Sequence, residues 1–198
     1  MDDRSILVYM TEPAVTVLVP GVRYAVWVQG CHRSCPGCIA QSSHAESAGK
    51  RMTPNELAWE ILLSGAEGVT ISGGEPFLQA EALAEMVRLV RRRKDLGVIV
   101  YTGYLYEELQ AMPEAAGLLA ETDLLIDGPY IQALDDGLSL RGSSNQRVLP
   151  LTERYRDALP LYGSEPRTVQ SFQRGLETHL VGVPDQTYEK TQHVKRGG

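Results

Sequence analysis

The chain has 198 residues, 43% of them apolar, and a formal net charge of −6, which suits one domain with at most a small appendage and leaves enough apolar content for a core. The acidic balance argues against a nucleic-acid backbone as partner, since that needs clustered Lys and Arg on a basic face. No window approaches the roughly 18 apolar residues of a membrane span, and Met1-Asp2-Asp3-Arg4 leads straight into a strand-like run without an apolar leader, so a cytoplasmic protein with no membrane partner is expected.

Ser5 to Tyr9 and Ala14 to Val19 read as short strands, joined as a hairpin around Glu12-Pro13. Arg23 to Gln29 is a third strand, ending at Gly30. Thr53-Pro54 starts a helix, with Thr as N-cap, Pro at the first helical position and Glu56 at N3. Leu57, Ile61 and Leu62 mark its buried face. Gly68 to Ser72 is a buried strand, and Gln79 to Lys94 a long helix with Leu83, Met86, Val87 and Val90 at helical spacing. The basic run Arg91-Arg92-Arg93-Lys94 closes that helix, where it complements the dipole. Gly97 to Thr102 is the next strand. Tyr106 to Met112 and Glu114 to Ala120 are helical, with Pro113 between them, and Asp123 to Asp127 and Arg147 to Leu151 are strands. Arg167 to Val183 alternates around Arg174-Gly175 like a hairpin. The polar tail from Gln186 to Gly198 is expected to be mobile.

Strands alternating with helices imply parallel βαβ units, too few for a closed eight-fold barrel. The expected fold class is therefore α/β: an open partial (β/α) barrel over residues 1–151, a short C-terminal β-hairpin-like extension over 152–185 packing on it, and the tail. Polar, glycine-rich motifs follow the strand ends: Gly30-Cys31, Gly73-Gly74-Glu75, Thr102-Gly103 and Asp127-Gly128. They would line the carboxyl edge, where barrel-like α/β folds place their chemistry.

All three cysteines, Cys31, Cys35 and Cys38, fall in one stretch with the spacing C-x3-C-x2-C. An odd number of thiols so close together is a poor disulfide framework and a good metal site. Thiolates suit iron–sulfur clusters or zinc. Zinc would need a fourth ligand, His32 or His44. A [4Fe–4S] cluster usually takes four cysteines, so three would leave one iron open to another ligand. The spacing alone leaves both metals in play.

This cysteine motif after a strand, followed by the turn Thr70-Ile71-Ser72-Gly73-Gly74-Glu75-Pro76, resembles the radical S-adenosylmethionine superfamily. Pro20-Gly21-Val22-Arg23, Gln29-Gly30-Cys31 through Cys38, Tyr101-Thr102-Gly103-Tyr104, Leu125-Ile126-Asp127-Gly128 and Arg141-Gly142-Ser143-Ser144-Asn145-Gln146-Arg147 resemble its glycyl-radical-enzyme activase branch, above all the activases of anaerobic ribonucleotide reductase. The resemblance implies that Cys31, Cys35 and Cys38 hold a [4Fe–4S] cluster whose open iron binds S-adenosylmethionine. Ser72, Gly73, Gly74 and Glu75 would then face the methionine end of that cofactor, Gly37 its adenine, and Thr102 and Asp127 its ribose or carboxylate. Arg141, Ser143, Asn145 and Gln146 would hydrogen-bond cofactor or partner, or form an ordinary polar turn. The implied partners are a glycyl-radical enzyme as protein substrate and an electron donor such as flavodoxin or ferredoxin. Related activases commonly continue Cys-Tyr-Asn after the third cysteine, where this chain has Cys38-Ile39-Ala40-Gln41. That departure keeps an alternative open, direct action on a small metabolite or peptide with the C-terminal segment shaping the pocket.

Overall fold

A computed structural model describes residues 5–183, except 139, 164, 175 and 176. The tail from Gln186 to Gly198 and Gly175 lie outside the described residues. Seven strands form one sheet: β1 (Ile6–Val15), β2 (Arg23–Val28), β3 (Lys50–Met52), β4 (Gly68–Gly73), β5 (Gly97–Tyr101), β6 (Leu124–Asp127) and β7 (Arg147–Pro150). Their spatial order is β3-β1-β2-β4-β5-β6-β7. The central strands β2, β4, β5 and β6 are parallel, and the flanking ones antiparallel. Helices α1 (Pro54–Ser64), α2 (Ala80–Arg91), α3 (Tyr106–Gln110) and α4 (Ala116–Ala120) lie in the crossovers. The fold is thus mixed α/β with a mostly parallel central sheet. No helix among the described residues is long and apolar enough to cross a membrane.

Residue alternation along the strands sorts the core into two faces. Val26 and Val28 of β2, Val69 and Ile71 of β4, Val98 and Val100 of β5 and Leu125 of β6 pack with Leu57, Ile61, Leu83 and Met86 of the helices. The intervening residues, Ile99, Leu124 and Ile126, pack on the opposite face with Leu140, Tyr155 and Tyr162. A sheet covered on both sides explains why its strands read as nearly continuous apolar runs. Helix α1 starts as expected: Thr53 Oγ1 accepts from Glu56 N at 3.2 Å while Glu56 Oε2 accepts from Thr53 N at 2.7 Å.

Two expectations need correcting. The chain does not turn back at Glu12-Pro13; β1 is one ten-residue strand from Ile6 to Val15. Its antiparallel pairing with β2 shifts register between Glu12 and Val15, and Ala14 takes φ +60°, so a bulge absorbs Pro13 instead of a hairpin. The short strand β3, which pairs with β1 at Ile6 and Met52, carries only three residues and gave no periodic signal. The basic run does more than complement a dipole. Arg91 pairs with Glu121 at 2.9 Å and Asp123 at 2.6 Å, Lys94 Nζ donates to Ala66 O at 2.6 Å, and Arg93 lies over the Trp59 ring.

Residues beyond β7 fold onto the face of the sheet that the helices leave bare. A 3-10 segment spans Glu153–Tyr162, and β8 (Val169–Arg174) pairs with β9 (Glu177–Gly182) as a hairpin. Val181 joins Val15, Leu18 and Ala25 in a third apolar cluster. Gln170 Oε1 accepts from Thr16 N at 2.9 Å. Arg23 is fully buried beneath the 3-10 segment. Its guanidinium donates to Thr70 Oγ1 (3.0 Å), Pro20 O (3.3 Å), Tyr155 OH (2.5 Å), Val69 O (2.5 Å) and Gly97 O (3.1 Å). All five donors of the side chain are therefore used. Gly97 must lack a Cβ, because one built there would fall 1.8 Å from the Tyr155 hydroxyl. Tyr155→Phe strands one donor of this buried cation and should destabilise the protein by about 1–3 kcal/mol. Urea unfolding reads this as a lower midpoint at constant slope, and an unchanged midpoint would remove the hydroxyl from the account.

Candidate active site

The cysteine loop leaves β2 at Gly30, whose φ of +101° lets the chain turn off the strand. It is closed at its base by Gly30 N to Ser43 O at 2.7 Å and Cys31 N to His44 O at 3.1 Å. Cys31, Cys35 and Cys38 are free, half-buried thiols on the wall of one cavity. Burial is the main cause that pushes the Cys31 and Cys38 thiols above their ordinary range, and the neighbouring cysteines push the same way. Among the described residues no three His, Cys, Asp or Glu side chains converge as ligands on a single metal ion. His32 Nε2 is instead 2.6 Å from Glu46 Oε1 in an exposed pair, while His44 lines the cavity.

The glycine turn after β4 is fastened to this loop. Gly74 N donates to Val28 O and Glu75 N to Gly30 O, both at 2.8 Å. A Cβ on Gly74 would lie 2.1 Å from Gly30 O, and one on Gly73 2.5 Å from both N and O of Val28. These glycines therefore admit the neighbouring strand's backbone. The sequence suggested room for a ligand, and the structure gives a second, internal reason for the missing Cβ. Glu75 is 2% exposed. Its Oε1 accepts from Thr102 Oγ1 at 2.8 Å and Phe77 N at 3.1 Å, and its Oε2 from Gly103 N at 2.8 Å. Burial still pushes its carboxyl above the usual carboxylate range. With roughly four acceptor positions on a carboxylate, Oε2 keeps room for one more donor.

Ser72, Gly73, Gly74, Glu75 and Thr102 line the same cavity as the three thiols. Gly37 and Asp127 are not among its lining residues. Gly37 turns the loop at φ +71°, where a Cβ would press on the Gln132 side chain at 2.7 Å. Asp127 is fully buried beneath Arg147. Arg147 Nε donates to Asp127 Oδ1 at 2.9 Å, Arg147 Nη2 to Asp127 Oδ2, and Tyr106 N to Asp127 Oδ2 at 2.7 Å. Asp127 thereby starts α3 and ties β6 to β7. From the Arg141 to Arg147 segment, Gly142 and Gln146 reach the cavity. Gln146 spends its amide internally, accepting from Gly142 N and donating to Gly128 O, both at 2.7 Å. Arg33 had no signal beyond a lone cation between the first two cysteines. Its guanidinium stacks 4.5 Å from the Tyr104 ring, it lines the cavity, and its buried Nε has no hydrogen-bond partner.

Residues 17–149 match the family described as a 4Fe-4S single cluster domain. The chain is 37% identical over 147 residues to the anaerobic ribonucleoside-triphosphate reductase-activating protein of Vibrio cholerae, covering 69% of this chain and 92% of that protein. It belongs to this family, in the activase branch of the radical S-adenosylmethionine superfamily. The homonymous protein of Enterobacteria phage T4 is 31% identical over 140 residues, 68% of this chain and 87% of that one. The pyruvate formate-lyase-activating enzyme of Clostridium pasteurianum is 33% identical over 126 residues, 60% of this chain and 49% of that one. Membership in the activase family brings a [4Fe–4S] cluster and S-adenosylmethionine as cofactors. The donor set fits them: three free thiols on one wall, a glycine turn beside them, and the polar groups of Glu75 and Arg33 with hydrogen-bonding capacity left. That match decides against the zinc reading.

Two outcomes follow from this geometry. Gly74→Ala should lower stability by roughly 1–3 kcal/mol through overpacking against fixed backbone and reduce iron uptake with it; a variant that melts and loads iron like the parent would break the proposed seam. The Arg147 guanidinium holds the Glu107 carboxyl down at about 2, against 4.5 for the free group. A depressed acid contributes stability above its unfolded value that fades as pH falls from about 4.5 towards 2. Because Glu107 is exposed, this contribution is small and salt-sensitive. Carboxyl NMR should give a midpoint near 2 for Glu107, and an ordinary midpoint would remove its ion pair with Arg147 Nη2, 2.7 Å away.

Proposed function

We propose that this chain activates a glycyl-radical enzyme, an anaerobic ribonucleotide reductase in the first instance, by abstracting a hydrogen atom from a glycine of that partner. The observation that carries the reading is the convergence of Cys31, Cys35 and Cys38 with Ser72-Gly73-Gly74-Glu75 on one cavity, in a chain of the activase family. The three thiolates would hold the cluster. When bound, the cluster and S-adenosylmethionine supply one-electron cleavage of the sulfonium, which gives methionine and a 5′-deoxyadenosyl radical able to take the hydrogen. Glu75 Oε2 and the Ser72 to Gly74 backbone would receive an ammonium group. Arg33 would face an anionic one, with a charge-assisted bond about twice as strong as a neutral one. Thr102 holds Glu75 in place, and Gly37 and Asp127 shape the loop and the strand ends around the site. The four parallel strands are read as an open arc of a (β/α) barrel, residues 1–151 as the core, and residues 152–185 as an extension. The enzyme is read as cytoplasmic, with flavodoxin or ferredoxin as electron donor.

One observation favours a second reading, direct action on a small metabolite or peptide: Arg167, Gly182 and Val183 of the extension line the cavity. One experiment separates the two. The protein is reconstituted anaerobically with iron and sulfide, reduced with dithionite and given S-adenosylmethionine. It should form 5′-deoxyadenosine, and Cys35→Ala should lose both cluster and product. Adding an anaerobic ribonucleoside-triphosphate reductase should give a glycyl radical by electron paramagnetic resonance. Cleavage without a partner radical would favour the second reading, and full cleavage by Cys35→Ala would overturn the ligand assignment.

A further inference from the structure

The family match ends at residue 149, yet the cavity does not. Besides Cys31, Cys38 and Gly74 its wall includes Asp135 and, from the extension, Arg167, Gly182 and Val183. We propose that the segment after residue 152 is a fixed wall of the cofactor-binding cavity and that Arg167 is the residue that positions it, an inference that rests on the activase reading for the cavity's occupant.

Arg167 has the anchorage such a role requires. Its side chain is 3% exposed and that of Asp135 6%. Arg167 Nη1 lies 2.8 Å from Asp135 Oδ1, Nη2 donates to Gly142 O at 2.8 Å, and the backbone N donates to Gly137 O at 3.3 Å. Pro166 bridges to Leu138 beside it. Asp135 is itself fixed, with its Oδ1 accepting from Gly137 N at 3.1 Å and its Oδ2 from Tyr130 OH at 3.2 Å. Removing either partner of so buried a pair leaves an uncompensated charge. The extension is held elsewhere too, at Arg23 through Tyr155, at Thr16 through Gln170, at Val19 through the Tyr162 hydroxyl and at Asp95 through Arg154. These holds lie at separate places on the sheet and its loops. Together they hold the end of β9 at the cavity, whose lining Gly182 and Val183 share with the three cysteines.

Three variants test this: Val183→Trp, which fills the cavity from the extension; Arg167→Ala, which releases it; and Ser171→Trp, a control on the hairpin's exposed side. In metal-free protein, alkylation of the cysteines by iodoacetamide should slow in Val183→Trp and speed up in Arg167→Ala by roughly tenfold, as expected when a local closure is lost. After reconstitution, equilibrium dialysis should show Val183→Trp binding S-adenosylmethionine roughly tenfold or more weakly, about 1.4 kcal/mol or more, with iron, sulfide and melting temperature unchanged. Ser171→Trp should match the parent in both. Equal alkylation rates and equal affinities across the set overturn the wall. If Arg167→Ala does not fold, Val183→Trp decides alone. If the parent does not bind S-adenosylmethionine while the alkylation rates still diverge, the wall stands and the activase reading falls.

Discussion

The site depends on one close approach of backbone to backbone, that of Gly74 to Gly30. Only there can the turn after β4 donate Gly74 N to Val28 O and Glu75 N to Gly30 O without a Cβ in the way. Once that seam is closed, the carboxylate of Glu75 falls where Thr102 Oγ1 and Gly103 N can reach it. Three consecutive strand ends, of β2, β4 and β5, are thereby locked to one another. The cysteine loop begins at the first of them. Its thiols inherit their position from a glycine pair and a buried acid. Buried polar networks of this kind rigidify a site when every member is satisfied.

Legibility followed the length scale of each signal. The parallel core was readable because β2, β4 and β5 are apolar runs punctuated by helices whose caps are written locally, as at Thr53-Pro54 and Glu56. The cysteines, Gly73, Gly74, Glu75 and Thr102 were readable as a set because all end strands on one edge. Asp127 ends a strand too, and in the sequence it looks no different from Thr102. Its partner Arg147 is twenty residues away on an antiparallel neighbour, and nothing local announces that a cation will cover it. At Gly37 a further constraint is invisible locally: its missing Cβ makes room for Gln132, ninety-five residues on. Arg33 was invisible for the opposite reason: its meaning lies in Tyr104 and Gly103, far along the chain, where a Cβ on Gly103 would meet its side chain at 2.5 Å. The hairpin misplaced at Glu12-Pro13 was a local turn signal overruled by pairing on both sides of β1.

The electrostatics of the cavity point the same way as its donor set. Cys31, Cys38 and Glu75 are all pushed towards their neutral forms by burial. Of the two guanidinium groups on the cavity wall, Arg167 already faces the buried Asp135. Arg33, between the first two cysteines, lies 3.5 Å from Glu108 Oε2, and its backbone N donates to Cys31 Sγ at 3.4 Å. Three thiols and a buried carboxyl on one cavity wall gain from positive charge brought in from outside. Metal ions supply that charge, deprotonate thiols outright and couple their binding to proton release. The base of the cysteine loop is tied to the Gly73-Gly74-Glu75 turn through Glu75 N to Gly30 O, so the frame around the thiols is in place before such charge arrives.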